Sequence, residues 1–165
     1  MVLIAKKYKP HSVCFVPENR QELTTEGGLD VCLNFNYLKK IISPLLQSEI
    51  NVALFIDPNI EQLIATHKLG IKTVEFHTGA YANAFLNKDK VELELKKIRE
   101  SVKYAKEHNI NSHAGHGLNY ENVSLIASIP NIHELNIGHF LIGEAIFEGL
   151  KKSILKMRHV IKEAP

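Results

Sequence analysis

Residues 51–77 read NVALFIDPNIEQLIATHKLGIKTVEFH, and this stretch decides the fold. Asn51–Asp57 is a short apolar run closed by a polar turn, the pattern of a strand. Asp57-Pro58-Asn59 then offers side chains suited to capping a helix, a commoner role for such a triplet than catalysis. Ile60–Lys68 carries that helix, and Gly70 supplies its stop. Lys72–His77 is a second apolar run and a second strand. Strands joined through a helix lie parallel, because a crossover returns the chain to the same end of the sheet. The near-continuous apolar character predicts strands buried on both faces.

The same alternation extends in both directions. Further strands are predicted at Ser12–Pro17, Asn111–Ala114 and His133–Ile137. Helices fill the gaps. Asn36–Gln47 carries Leu38, Ile41, Ile42, Leu45 and Leu46 at helical spacing, with Pro44 expected to kink or interrupt it. Lys90–His108 places Val91, Leu95, Ile98, Val102 and Ala105 on one stripe. Asn119–Ile129 starts at an Asn and stops before Pro130. His139–Lys162 is broken only by Gly143 and Gly149. Residues 1–8 read as the end of a helix with no capping residue ahead of them. Strict alternation of this kind means an α/β fold with a parallel sheet, here one domain over 1–165.

The composition excludes several classes. Of the 165 residues, 45% are hydrophobic and 23% charged, too apolar for a disordered segment. The formal net charge of +2 offers no basic surface for nucleic acid. No apolar run of about 18 residues predicts a membrane span. The N-terminus lacks the charge-then-apolar order of a signal peptide. Cys14 and Cys32 are too few and too far apart for a disulfide scaffold or a zinc knuckle. The expectation is a soluble cytoplasmic protein. Nine His stand out against this ordinary background.

Parallel α/β folds bind ligands at the C-terminal ends of their strands. The first predicted strand delivers Glu18, Arg20 and the loop Thr24-Thr25-Glu26-Gly27-Gly28, and the second delivers Asp57. The third delivers Glu75 and His77, the fourth His113 and Gly115-His116-Gly117, and the fifth Asn136, Gly138 and His139. Glu75 stands inside an apolar strand, where a carboxylate is costly unless paired, so it is a functional group or half of an ion pair. His116 lies between two glycines that let backbone approach a ligand, which favours catalysis over a satisfied turn. His77 reads equally as a core His. His113 reads more readily as sheet wall than as a functional group. Gly138-His139 opens a helix whose first N–H groups suit a phosphate. Gly27-Gly28 suggests a second anion-accepting loop. His77, His113, His116 and His139 have no diagnostic metal-ligand spacing, so no metal is expected.

The strings VPENRQELTTEGGLD (16–30), NVALFID (51–57), VEFHTGAYANA (74–84), AGHGLNYENV (114–123) and IPNIHELNIGHFLIGEAI (129–146) resemble the pyridoxine 5'-phosphate synthase family, in order and from Met1 to about Glu163. The resemblance implies a (β/α)₈ barrel that assembles as a homo-octamer. It implies condensation of 1-deoxy-D-xylulose 5-phosphate with 3-amino-2-oxopropyl phosphate to pyridoxine 5'-phosphate, phosphate and water, with no cofactor or metal. By motif, His116 matches the proton donor and Glu75 the carboxylate that stabilises the transition state. Thr24 matches a deoxyxylulose phosphate contact; Gly117, Gly138 and His139 match contacts to the aminoketone phosphate. His113 stands where the family often has Asn, and Glu144 where many members have Arg. The family's Asn-Ile-Asp-His strand, a catalytic His on its second strand and a catalytic Glu on its third have no match in this sequence. The chain is therefore expected to supply strands four to eight of the barrel and to be inactive alone. The other reading left open is a non-catalytic phosphate-binding or assembly fragment.

Overall fold

The computed structural model describes residues 1–17 and 27–165. Its elements run α1 (Val2–Tyr8), β1 (Ser12–Phe15), α2 (Phe35–Leu46), β2 (Asn51–Ile56), α3 (Ile60–Lys68), β3 (Thr73–His77), α4 (Gly79–Asn87), α5 (Val91–Glu107), β4 (Asn111–Gly115), α6 (Val123–Ala127), β5 (Ile132–Asn136), α7 (His139–Glu148) and α8 (Leu150–Lys162). The strands form one five-stranded sheet in the order β1-β2-β3-β4-β5, every pair parallel. Each strand pairs with the one before it in sequence. Repeated crossovers of one hand produce this order, and it carries all the strand C-termini to one edge.

The two faces of the sheet differ. Register sets Phe55 beside Glu75, Glu75 beside His113, and His77 beside Gly115. Gly115 in turn lies beside Asn136. These residues share one face, which is polar from β3 onward. Leu54, Ile56, Val74, Phe76 and Ala114 alternate with them on the other face and are fully buried. They pack with Leu38, Ile42 and Leu45 of α2, Leu63 of α3, and Leu95, Ile98 and Val102 of α5 in one core. Burial of each such aliphatic side chain contributes about 1.5–3 kcal/mol. The expectation of two apolar faces is thus corrected. Ala53 and Phe55 continue the apolar run in β2 and hide a period of two that becomes visible only in β3 and β4.

The helices follow their predicted positions with four differences. Helix α4 was not expected: GAYANAFLN follows the third strand directly, and its opening Thr-Gly reads as a turn. Helix α6 is shorter than 119–129, because Asn119 Oδ1 accepts the N–H groups of Glu121 and Asn122 and builds a loop there. Gly149, at φ +82°, ends α7 and starts α8, whereas Gly143 lies inside α7 without interrupting it. Pro44 is carried inside α2, close enough to its C-terminus that the missing N–H costs one bond of the last turn. Helix α1 forms, without a side-chain cap and with none of its residues buried. Among the described residues, no helix is long and apolar enough to cross a membrane.

Candidate active site

Gly115 ends β4 between Glu75 on β3 and Asn136 on β5. A Cβ at Gly115 would stand 2.4 Å from Glu75 Oε1 and 2.8 Å from the Asn136 carbonyl oxygen. The glycine therefore lets these groups converge across the central strand. The Cys14 thiol faces Glu75 Oε2 at 3.9 Å. Burial pushes the Glu75 carboxyl above the ordinary carboxylate range, and the nearby Glu134 charge adds to this. Hydrogen bonds from Asn136 and Cys14, with the field of His77, act in the opposite direction.

His77 closes β3. Its Nδ1 lies 3.0 Å from Asp57 Oδ1 at the end of β2, and the imidazole is 8% exposed. The His77 hydrogen bond holds the Asp57 carboxyl below the usual range, helped by the Gly28 N–H donated to Oδ1 at 3.1 Å. A Cβ on Gly28 would collide with the backbone of Asp57 at 2.0 Å. Gly28 thus directs its N–H at a protein carboxylate, which corrects the reading of Gly27-Gly28 as an anion-accepting loop. The helix cap expected from Asp57-Pro58-Asn59 falls to Asn59, whose side chain accepts the Glu61 N–H at 2.7 Å.

His116 sits in the loop after β4 at φ +83°, followed by Gly117 at φ +75°. A non-glycine residue in this region costs on the order of 1–2 kcal/mol, so surrounding contacts must hold it. Buried Thr78 supplies them: its N–H donates to the Gly115 carbonyl at 2.8 Å. Its Oγ1 lies 2.8 Å from that carbonyl and 2.6 Å from the carbonyl of His116. Asn122 Nδ2 donates to the Gly117 carbonyl at 3.1 Å. The Tyr81 hydroxyl, buried on α4, anchors Asn122 by donating to its carbonyl at 2.6 Å. A Cβ at Gly117 would meet Ala82 Cβ at 2.6 Å, so the loop packs tightly on α4.

Two clefts open at this edge, and the His116 side chain lies between them. One, of about 650 Å³, is lined by Glu75, His116, Gly117, Asn136, Gly138 and His139 among others. Gly138 precedes the first turn of α7, and no side chain caps that turn. The other, of about 670 Å³, is lined by Asp57, His77, Gly79, Asn83, Lys97 and His116 among others. The structure thus brings together His116, Glu75, Gly117, Gly138 and His139. Thr24, Glu18 and Arg20 lie outside the described residues. His113 shares the polar face with Glu75 and pairs through Nδ1 with Glu134 Oε1 at 3.3 Å. Among the described residues, no group of three His, Cys, Asp or Glu could hold a metal ion. Sequence reasoning missed Thr78, Asn122 and the Asp57 partnership. A polar residue beginning a helix directly after a strand was the available signal for Thr78.

Fold and site together define a parallel α/β protein that gathers His, Glu and an open helix N-terminus at the carboxyl edge of its sheet. The family is specific: the model for pyridoxal phosphate biosynthesis protein PdxJ matches residues 1–163, and the chain belongs to that family. The chain is 50% identical over 161 residues to the pyridoxine 5'-phosphate synthase of Sulfurihydrogenibium sp. (strain YO3AOP1), covering 98% of this chain and 65% of that protein. It is 46% identical over 163 residues to the synthase of Blochmanniella floridana, with 99% and 66% covered. It is 50% identical over 164 residues to that of Zymomonas mobilis subsp. mobilis, with 99% and 63% covered. The chain spans just under two thirds of the length of these relatives.

Proposed function

We propose that this chain carries part of the active site of a pyridoxine 5'-phosphate synthase in vitamin B6 biosynthesis. The reaction joins 1-deoxy-D-xylulose 5-phosphate and 3-amino-2-oxopropyl phosphate to give pyridoxine 5'-phosphate, phosphate and water. The observation that carries this reading is the shared cleft of Glu75, His116, Gly117, Gly138 and His139. An amine adds to a ketone, and a hydroxyl must leave as water. His116 gives the proton, a task suited to imidazole near neutral pH. Glu75 stabilises charge that builds during ring closure. The N–H groups opening α7, with Gly117 and His139, hold the aminoketone phosphate. Thr24 contacts the phosphate of the deoxyxylulose substrate.

In this reading the sheet is a sector of a (β/α)₈ barrel, strands four to eight, and the assembly is a cytoplasmic homo-octamer that uses no cofactor. The 165-residue chain alone is inactive, because the family's other acid–base groups come from strands without a match here. The test is a pair of measurements on the chain. Titration with inorganic phosphate should shift the amide resonances of Gly117, Gly138 and His139 first, and both organic phosphates together should give no turnover. Phosphate shifts elsewhere with these three unmoved would sink the cleft assignment, and turnover by the chain would sink the proposed inactivity. Among the described residues β1 and β5 each pair on one side only, which favours one second reading, a non-catalytic phosphate-binding or assembly fragment. Saturable phosphate binding with no activity after completion of the barrel would select it.

A further inference from the structure

Two imidazoles stand side by side at the ends of β3 and β4, and the synthase reading uses only that of His116. Asp57 is an ionised carboxylate, an acceptor only, so His77 Nδ1 at 3.0 Å must carry hydrogen. Nε2 is then the atom of His77 that titrates. It is buried and has no hydrogen-bond partner among the described residues. It faces the start of α4, where a Cβ on Gly79 would come within 2.5 Å of Nε2 and 3.1 Å of His116 Cδ2. Gly79 keeps one narrow space open to both rings, whose centroids are 4.8 Å apart. Both rings line the same cleft.

We propose that Asp57 and His77 are positioning residues for His116, that the two imidazoles share one added proton near neutral pH, and that His77 passes this proton to His116, which donates it to the substrate. The proposal rests on the reading of His116 as proton donor. Like charges this close oppose double protonation, and the Asp57 carboxylate fixes the hydrogen on His77 Nδ1, so that the proton in play is on Nε2. During dehydration the substrate C–O bond breaks, its electron pair leaves with oxygen, and the His116 proton completes the water. The N–H pair stays on His116, which is then neutral. The donated proton had reached His116 from His77 Nε2, directly or across one water. His77 becomes neutral with Nδ1–H still on Asp57, and solvent restores the missing proton.

The other titratable and charged groups that face this pair are the same residues in both variants. Glu75 lies two residues before His77 on the same face, with His113 and Glu134 farther along the sheet. From α5, Glu94 and Lys97 pair with each other at 2.8 Å, and His139 faces His116 from α7 across the other cleft.

The experiment is a pH titration of the histidine-labelled chain by long-range proton–nitrogen NMR. His77 should hold its hydrogen on Nδ1 when neutral, and His116 should titrate in two coupled steps. His77→Asn keeps a donor toward Asp57 and removes Nε2. In that variant His116 should titrate in one step, with a midpoint raised by about one pH unit. Asp57→Asn should lower the His77 midpoint and raise that of His116, and it decides by the same signs should His77→Asn fail to fold. A His116 midpoint unmoved in a folded variant, or a neutral His77 carrying its hydrogen on Nε2, overturns the proposal. Neither readout requires turnover. A chain that lacks synthase activity even when completed would end the functional reading, while the titration would still decide the coupling.

Discussion

At the scale of single residues, the site is built by what glycines leave out and by what two carboxylates do in opposite ways. Gly115→Ala would drive a methyl against Glu75 Oε1 and the Asn136 carbonyl. The expected cost is about 1–3 kcal/mol, read by urea denaturation, because the contacts are with backbone and with a group fixed by its own partners. Glu75 has a raised folded value, so the native state binds its proton more tightly than the unfolded chain does. Its contribution is lost as pH rises from the ordinary carboxylate range through that raised value. Glu75→Gln should therefore be the more stable protein at neutral pH, with an advantage that shrinks on acidification; an advantage that grows in acid would contradict this. Asp57 has the opposite sign. Its folded value is lowered, so its stabilisation is present above the unfolded value and is lost as pH falls through the folded one. Asp57→Asn should cost about 1 kcal/mol at neutral pH, at the low end for a charge-assisted bond because the carboxylate is half-exposed, and the cost should fade in acid.

At the scale of elements, Gly149 shows a conformational demand with no steric one. It joins α7 to α8 at φ +82°, yet a Cβ there would meet nothing within 4 Å. Gly149→Ala should cost only the strain of this positive-φ, extended-ψ conformation, about 1–3 kcal/mol, visible as a lower melting temperature with the α7–α8 packing preserved. The sequence pointed to this break, but it gave Gly143 equal standing. The difference is conformational: Gly149 stands at φ +82° between two helices, whereas Gly143 lies inside α7. All five strands were legible, because apolar runs closed by Gly or polar residues have few other readings. Helix α4 was not legible. Its Thr78 leaves the helix uncapped and spends its side chain on the loop of His116. Among the site residues, Glu75, His116 and Gly138 announced themselves by a carboxylate in an apolar strand, a His between glycines and a Gly opening a helix. The Asp57–His77 bond spans two strands and emerges only from sheet register.

At the scale of the whole molecule, sequential parallel strands place every strand end on one edge, and β1 and β5 each pair on one side only among the described residues. Open edges invite further pairing. Ile146 and Phe147 on α7 are 80% and 86% exposed, beside half-exposed Ile142. The isolated chain should therefore self-associate in sedimentation experiments, and Phe147→Lys should reduce that association; a monomer over the whole concentration range would count against it.

The central claim is that the cleft between Glu75, His116 and α7 belongs to a pyridoxine 5'-phosphate synthase. Its most direct test joins to this chain the part of the Sulfurihydrogenibium protein that it does not match and measures pyridoxine 5'-phosphate formation from the two phosphates. The account predicts product from the joined protein and a loss of about 10²–10⁴-fold in His116→Ala. A folded joined protein that forms no product, or a His116→Ala variant with undiminished turnover, would contradict it.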